Sequence, residues 1–106
     1  MAGTRLVSPL TTISATATAT EVMKLRSGAT YKLKKIWMAN DSAAATDVYL
    51  CKSDKTQLTP KIRIGAYSGG SVGPEDLPEV EFTADIYAVS EDSQPVELII
   101  EVEEVY

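Results

Sequence analysis

Carboxylates are the most abundant groups here with chemical potential. The sequence has fifteen of them in 106 residues, and Glu75, Asp76, Glu79, Glu81 and Asp85 fall close together. Such a run could supply oxygen ligands to Ca²⁺, but its spacing is not that of an EF-hand, and acidic loops most often only solvate the chain. Paired carboxylates could also run glycoside hydrolysis, although a β-domain this small rarely encloses a cleft. There is no histidine, and Cys51 is the single cysteine. Within these residues an internal disulfide, a Cys₂His₂ or Cys₄ zinc site, imidazole acid/base catalysis and a Ser-His-Asp or Cys-His arrangement are therefore excluded. Ser68-Gly-Gly-Ser-Val-Gly73 is glycine-rich but lacks the lysine and following helix of a phosphate loop, and it reads as a mobile loop. No catalytic residue, metal or cofactor is expected, and the chain is expected not to be an enzyme.

The charge is unevenly distributed. Up to Arg63 there are ten bases and four acids, giving +6; beyond it there are eleven acids and no base, giving −11 and a net −5. Either basic and acidic strands pair across one sheet, or they form separate patches through which one copy meets another. Cross-strand pairing is the commoner arrangement. An acidic chain is a poor ligand for nucleic acid, so no nucleic-acid partner is expected. No apolar run is long enough to cross a membrane, and the polar, Thr-rich start after Met1 predicts no secretory signal.

The elements that must position any site read as strands. Residues 1–12 show no clear period and contain Pro9; they read as an extended N-terminal arm with apolar anchors at Leu6, Val7 and Leu10. Residues 13–106 read as one β-sandwich domain. Ile13–Thr20 alternates Ala with Ser or Thr, as a strand or a flexible linker would. Glu21–Arg26 reads as a half-buried strand with Met23 and Leu25 on its apolar face, followed by a turn at Ser27-Gly28. In Ala29–Asn40, Tyr31 and Leu33 share one face, whereas Ile36 and Met38 face inward after the doubled Lys34-Lys35. A β-bulge near Lys35 accounts for that change of phase and turns Trp37 outward. Asp47–Lys52 carries apolar residues on both faces, and Cys51 reads there as a small core residue. Lys61–Tyr67, Val80–Val89 and Val96–Tyr106 complete the pattern, the last with an apolar column of Val96, Leu98, Ile100 and Val102. Six to eight short strands with no 3.6-residue period predict an all-β, antiparallel sandwich or barrel, of which the sandwich is taken.

An outward Trp37 can anchor an interface, because tryptophan buries a large area at low entropic cost. It could equally stack on a sugar ring or, without the bulge, lie in the core.

These segments resemble small tailed-phage virion proteins with jelly-roll-like sandwiches. The resemblance is carried by the Thr-rich start, Ala29-Thr-Tyr-Lys-Leu-Lys-Lys-Ile36, Ala39-Asn40, Val48-Tyr-Leu50, an apolar anchor at Leu77, Ile86-Tyr-Ala-Val89 and the closing strand Val96–Glu103 with its acidic tail. It spans roughly residues 20–105 and departs at Ser68–Pro78, where such proteins often have a tighter connection. It implies a jelly-roll-like fold and a structural role, as a capsid decoration (cement) protein or a related head, neck or tail component. The implied partner is the major capsid protein or another virion protein, and the implied location is the virion surface after synthesis in the host cytoplasm. A homo-oligomer is expected, with a trimer favoured by analogy. Arg5, Leu6, Val7 and Leu10 of the arm, together with Trp37, are the residues expected to touch a partner. A carbohydrate-binding or adhesion module using exposed aromatics is the alternative, and a small carboxylate hydrolase a third reading.

Overall fold

The computed structural model describes residues 3–14, 18–73, 80–92 and 94–105. Leu77 and the acidic residues Glu75, Asp76 and Glu79 lie outside them. The described residues form ten strands and no helix: β1 (Thr4–Val7), β2 (Thr11–Ile13), β3 (Thr20–Met23), β4 (Thr30–Asn40), β5 (Thr46–Cys51), β6 (Ile62–Ile64), β7 (Ser68–Val72), β8 (Glu81–Phe82), β9 (Ile86–Ser90) and β10 (Val96–Val105). All pairings are antiparallel. The larger sheet runs β1-β10-β4-β7, with β2 continuing β1 along β10 and β8 sharing the β4 edge with β7; the smaller sheet runs β3-β9-β5-β6. The two sheets pack as the expected all-β sandwich.

The longest strands, β4 and β10, form the centre of the larger sheet because they carry the strongest alternation. Val96, Leu98, Ile100 and Val102 of β10 are all essentially inaccessible, as are Ile36 and Phe82. From the smaller sheet, Val48, Leu50, Ile86 and Ala88 meet them in the same core. Burying a Val, Leu, Ile or Phe side chain contributes about 1.5–3 kcal/mol. The bulge expected near Lys35 is present. Glu101 faces Lys35 and Val102 faces Leu33, which leaves Lys34 as the extra residue. Strand β5 is covered on both faces, and its Tyr49 and Cys51 join Val89 in a second small cluster.

Four features differ from the sequence reading. Residues 4–7 and 11–13, expected to belong to an extended arm, are strands that lie along β10 of their own chain. The alternation is hidden because the edge breaks at Ser8–Leu10, around Pro9. Ser68–Val72, expected to be a mobile loop, is a strand paired with Ile36–Asn40 of β4; Gly and Ser signal a linker only until a neighbouring strand fixes them. The single strand expected over Val80–Val89 is two, β8 in the larger sheet and β9 in the smaller. Between them Asp85 Oδ1 accepts the Leu25 amide at 2.8 Å, tying the crossing to the segment after β3. In β3 the register shifts between Glu21 and Met23, so Val22 is the buried residue and Met23 is half-buried.

Buried polar side chains are few among the described residues. Asn40, 1% exposed, holds the turn after β4. Its Nδ2 donates to the carbonyls of Ala44 (2.9 Å) and Gly65 (3.1 Å), and its Oδ1 accepts from the Ser42 amide (3.1 Å) and hydroxyl. Among the described residues no buried side-chain nitrogen or oxygen lacks a partner.

Candidate functional site: the outer face of the larger sheet

The bulge at Lys34 decides what the outer face of the larger sheet presents. Before it the odd-numbered residues of β4 point inward, and after it the even-numbered ones do, so Trp37 and Ala39 point outward. On β10 the outward positions are Glu97, Ile99, Glu101, Glu103 and Val105. The register then builds rows across the sheet: Ile99, Trp37 and Ser71 in one, and Val7, Glu101 and Lys35 in the next.

Trp37 is half-buried and forms one wall of an open groove of about 430 Å³ that also involves Leu10, Ala39, Gly69, Glu97 and Ile99. Leu10 is 61% exposed at its rim. Gly69 lies close to β4; a Cβ there would stand 3.2 Å from the Met38 carbonyl oxygen and 3.7 Å from the Ala39 methyl. The glycine keeps that side of the groove low.

Charge borders the groove. The Lys35 ammonium stands 5.1 Å from the centre of the Trp37 ring, a cation–π contact. Arg5 Nη2 lies 3.0 Å from Glu101 Oε1. The hydrogen bond with Glu101, and then its charge, hold the Arg5 pKa above the ordinary value.

The split in charge along the chain is largely folded back on itself. The acidic strand β10 lies between β1, which supplies Arg5, and β4, which supplies Lys32 and Lys35 opposite Glu103 and Glu101. Arg26 reaches the buried Glu104 at 3.8 Å, Lys61 meets Glu91 at 2.7 Å, and Arg63 meets Asp47 at 3.3 Å. Basic and acidic segments thus pair within one copy.

Of the residues expected to touch a partner, Trp37 and Leu10 line this groove, and Arg5 and Val7 lie beside it on the same face. Leu6 does not; it pairs with Val102 and packs against the core. Ile99 and Gly69 were not singled out by sequence. The signal for Ile99 was available, since it is an apolar side chain set between Glu97 and Glu101 on the outward face of β10. Nothing in the composition of β7 signalled that its glycines border a groove.

Cys51 is remote from this face and fully buried. Burial pushes its thiol pKa up to about 11. Among the described residues, His, Cys, Asp and Glu nowhere gather in threes that could hold a metal ion. Side-chain polarity in the groove comes from Glu97 and Ser71, against an aromatic and aliphatic lining. Such a surface is suited to apolar contact with a polar border.

No protein-family model matches the chain, and no curated protein matches it. Among solved structures it is similar to the arabinose-bound MgGH51 α-L-arabinofuranosidase, at 12% identity and a TM-score of 0.38, over 97% of this chain and 24% of that one. The chain thus spans about a quarter of the length of that enzyme. It is also similar to the virus-like particle of the giant freshwater prawn Macrobrachium rosenbergii extra small virus, at 12% identity and a TM-score of 0.36, over 98% of this chain and 80% of that one. Neither likeness is close enough to carry an argument about function.

Proposed function

We propose that this chain is a non-enzymatic structural protein of a virion, a capsid decoration (cement) protein that grips a protein lattice with the outer face of its larger sheet. The observation that carries the reading is the groove lined by Trp37 and Ile99 of the two central strands, whose rim includes Leu10, bordered by the charges of Lys35, Arg5 and Glu101. An apolar centre with an aromatic anchor and a polar border is how protein interfaces concentrate their energy. Strands β4 and β10 hold it rigidly, so little order has to be gained on binding. The resemblance to small tailed-phage virion proteins supplies the class of partner, a major capsid protein. Repetition on a lattice makes modest contacts durable through effective concentration.

The test is co-sedimentation with capsids of the encoding virus. Trp37→Ala and Ile99→Ala are each expected to weaken attachment about 30-fold or more, as loss of an interface anchor does, without unfolding the sandwich. Attachment unaffected by both substitutions, or none by the unaltered protein, overturns the reading. A carbohydrate platform is the competing use of Trp37. The Lys35 ammonium against the ring stands where a sugar would stack, which favours the protein partner. Glycan-array binding that is lost in Trp37→Ala would reverse that preference.

A further inference from the structure

The edges of the two sheets are not defended alike. Exposed edges invite pairing with another chain and are normally blunted by charge, proline, a bulge or brevity. The β1–β2 edge is broken at Pro9 and carries Arg5; β3 has a register shift beside Glu21; β6 is three residues long and carries Arg63; β8 is two residues long. Strand β7, Ser-Gly-Gly-Ser-Val, is five residues long with no charge, no proline and no register shift. Among the described residues nothing pairs with its outer side.

The hydrogen-bond parity of the sheet identifies which groups that edge offers. Ile100 directs its amide and carbonyl to Ser8, so Glu97 and Ile99 direct theirs to β4, where they meet Ala39 and Trp37. Alternation then turns Met38 and its neighbours two residues away toward β7, where they bond Ser68, Gly70 and Val72. The amides and carbonyls of Gly69 and Ser71 are left facing outward.

We infer that β7 pairs antiparallel with β7 of a second copy across a two-fold axis at Gly70, joining two larger sheets into one. In that register Gly69 meets Ser71 of the second copy and Ser71 meets its Gly69. All four outward groups on each strand are satisfied at once; a shift by two residues either way breaks that match. Gly70 faces its own counterpart at the close spacing of a non-hydrogen-bonded pair, where neither copy has a Cβ. A second copy is the partner that fits because β7 is uncharged. Two copies of β6 would bring Lys61 and Arg63 toward their own kind, whereas β7 opposes nothing of like sign.

The inner face adds an apolar match. Gly70 borders a slot of about 210 Å³ between the sheets, reached by Met38, Ile62, Ile64 and Val72, and a Cβ at Gly70 would meet nothing within 4 Å. In the paired register Val72 of the second copy stands opposite Ser68, at the mouth of that slot. Both Trp37 grooves then lie on the same side of the joined sheet. The inference rests on the reading of a protein that assembles from identical copies, and its test is separate from attachment through Trp37.

Short interfaces of less than ~1,200 Å² belong to weak complexes, so sedimentation equilibrium of the full chain should span about 10 µM to about 1 mM. The expected result is a monomer–dimer equilibrium, with the Gly69 and Ser71 amide protons protected from solvent exchange as concentration rises. Ser71→Pro removes an outward N–H and leaves the β4–β7 ladder intact; it should give a folded monomer across that range. A monomer throughout, a trimer, or a dimer whose Gly69 and Ser71 amides stay unprotected would overturn the inference. The amide measurement decides even if Ser71→Pro fails to fold. Loss of lattice attachment in Trp37→Ala with dimerisation unchanged would separate the two surfaces.

Discussion

Ser8 and Ile100 are joined by two hydrogen bonds in which a side chain takes the place of a missing strand residue. The Ser8 amide donates to the Ile100 carbonyl at 2.9 Å, and the Ile100 amide donates to the Ser8 hydroxyl oxygen at 2.9 Å. Between β1 and β2 the edge leaves β10 for a few residues, and at that point Ile100 would lose its backbone acceptor. Ser8 is 4% exposed and Ile100 fully buried, so no water replaces the hydroxyl. Ser8→Ala should destabilise the fold by about 1–3 kcal/mol, the cost of a buried amide left without an acceptor. Urea denaturation measures it, with an unchanged m-value showing that the folded state has kept its extent.

Asn40 gives a second prediction, one of sign as well as size. Its amide nitrogen donates to carbonyls from two different segments, Ala44 on one side and Gly65 with the more distant Ile64 on the other, while its oxygen serves Ser42. Asn40→Asp keeps the shape and the acceptor but points a carboxylate oxygen at those carbonyls. The substitution should cost about 2–3 kcal/mol near pH 7. The site disfavours the charged form, so the introduced carboxyl should have a raised pKa. Stability relative to the unaltered protein should then recover in part as pH falls toward about 4, because the protonated acid regains one donor. A deficit that stays constant from neutral to acidic pH would show that the donor role of Asn40 is not what holds the turn.

What was legible in the sequence was whatever alternation could carry. In β10 four apolar residues at period two define the inner face unaided. In β4 the doubled lysine shows the bulge, and with it the outward turn of Trp37. The misread parts are those decided by a neighbour. Ser68–Val72 has the composition of a linker, and only the register with β4 makes it a strand. Val80–Val89 is continuous in strand propensity, yet the chain changes sheet within it, where Asp85 bonds the Leu25 amide. Arg5, Val7 and Leu10 could be named as surface contacts, but the break at Pro9 hid the strands that position them. The pairing of Arg5 with Glu101 and of Lys61 with Glu91 depends on strand order, which charge counts along a chain do not contain. The groove itself joins β10, β4 and β7, strands distant in sequence, so of its lining only Trp37 and Leu10 were named from the sequence, and Ile99 could have been.

Cys51 supplies a prediction about pH. It is fully buried, and burial raises its thiol pKa from 9.0 to about 11. The thiolate is the reactive form, so at about pH 8 the native protein should react with a disulfide reagent only as fast as it opens, and rapidly once denatured. The same shift affects stability. Above pH 9.0 the unfolded chain releases the proton that the folded chain keeps until about pH 11. The folded state then binds more protons than the unfolded one, so stability falls as pH rises through that window. The slope is at most about 1.4 kcal/mol per pH unit. Tyr49, whose pKa is raised above 10.0 chiefly by burial, adds a fall of the same sign at the upper end, so the contribution of Cys51 must be isolated by difference. Denaturation of the unaltered protein and Cys51→Ala between about pH 8 and about pH 11 should give curves that converge as pH rises, the variant losing less. Parallel curves would show that the thiol ionises alike in both states, contrary to its full burial in the cluster with Tyr49 and Val89.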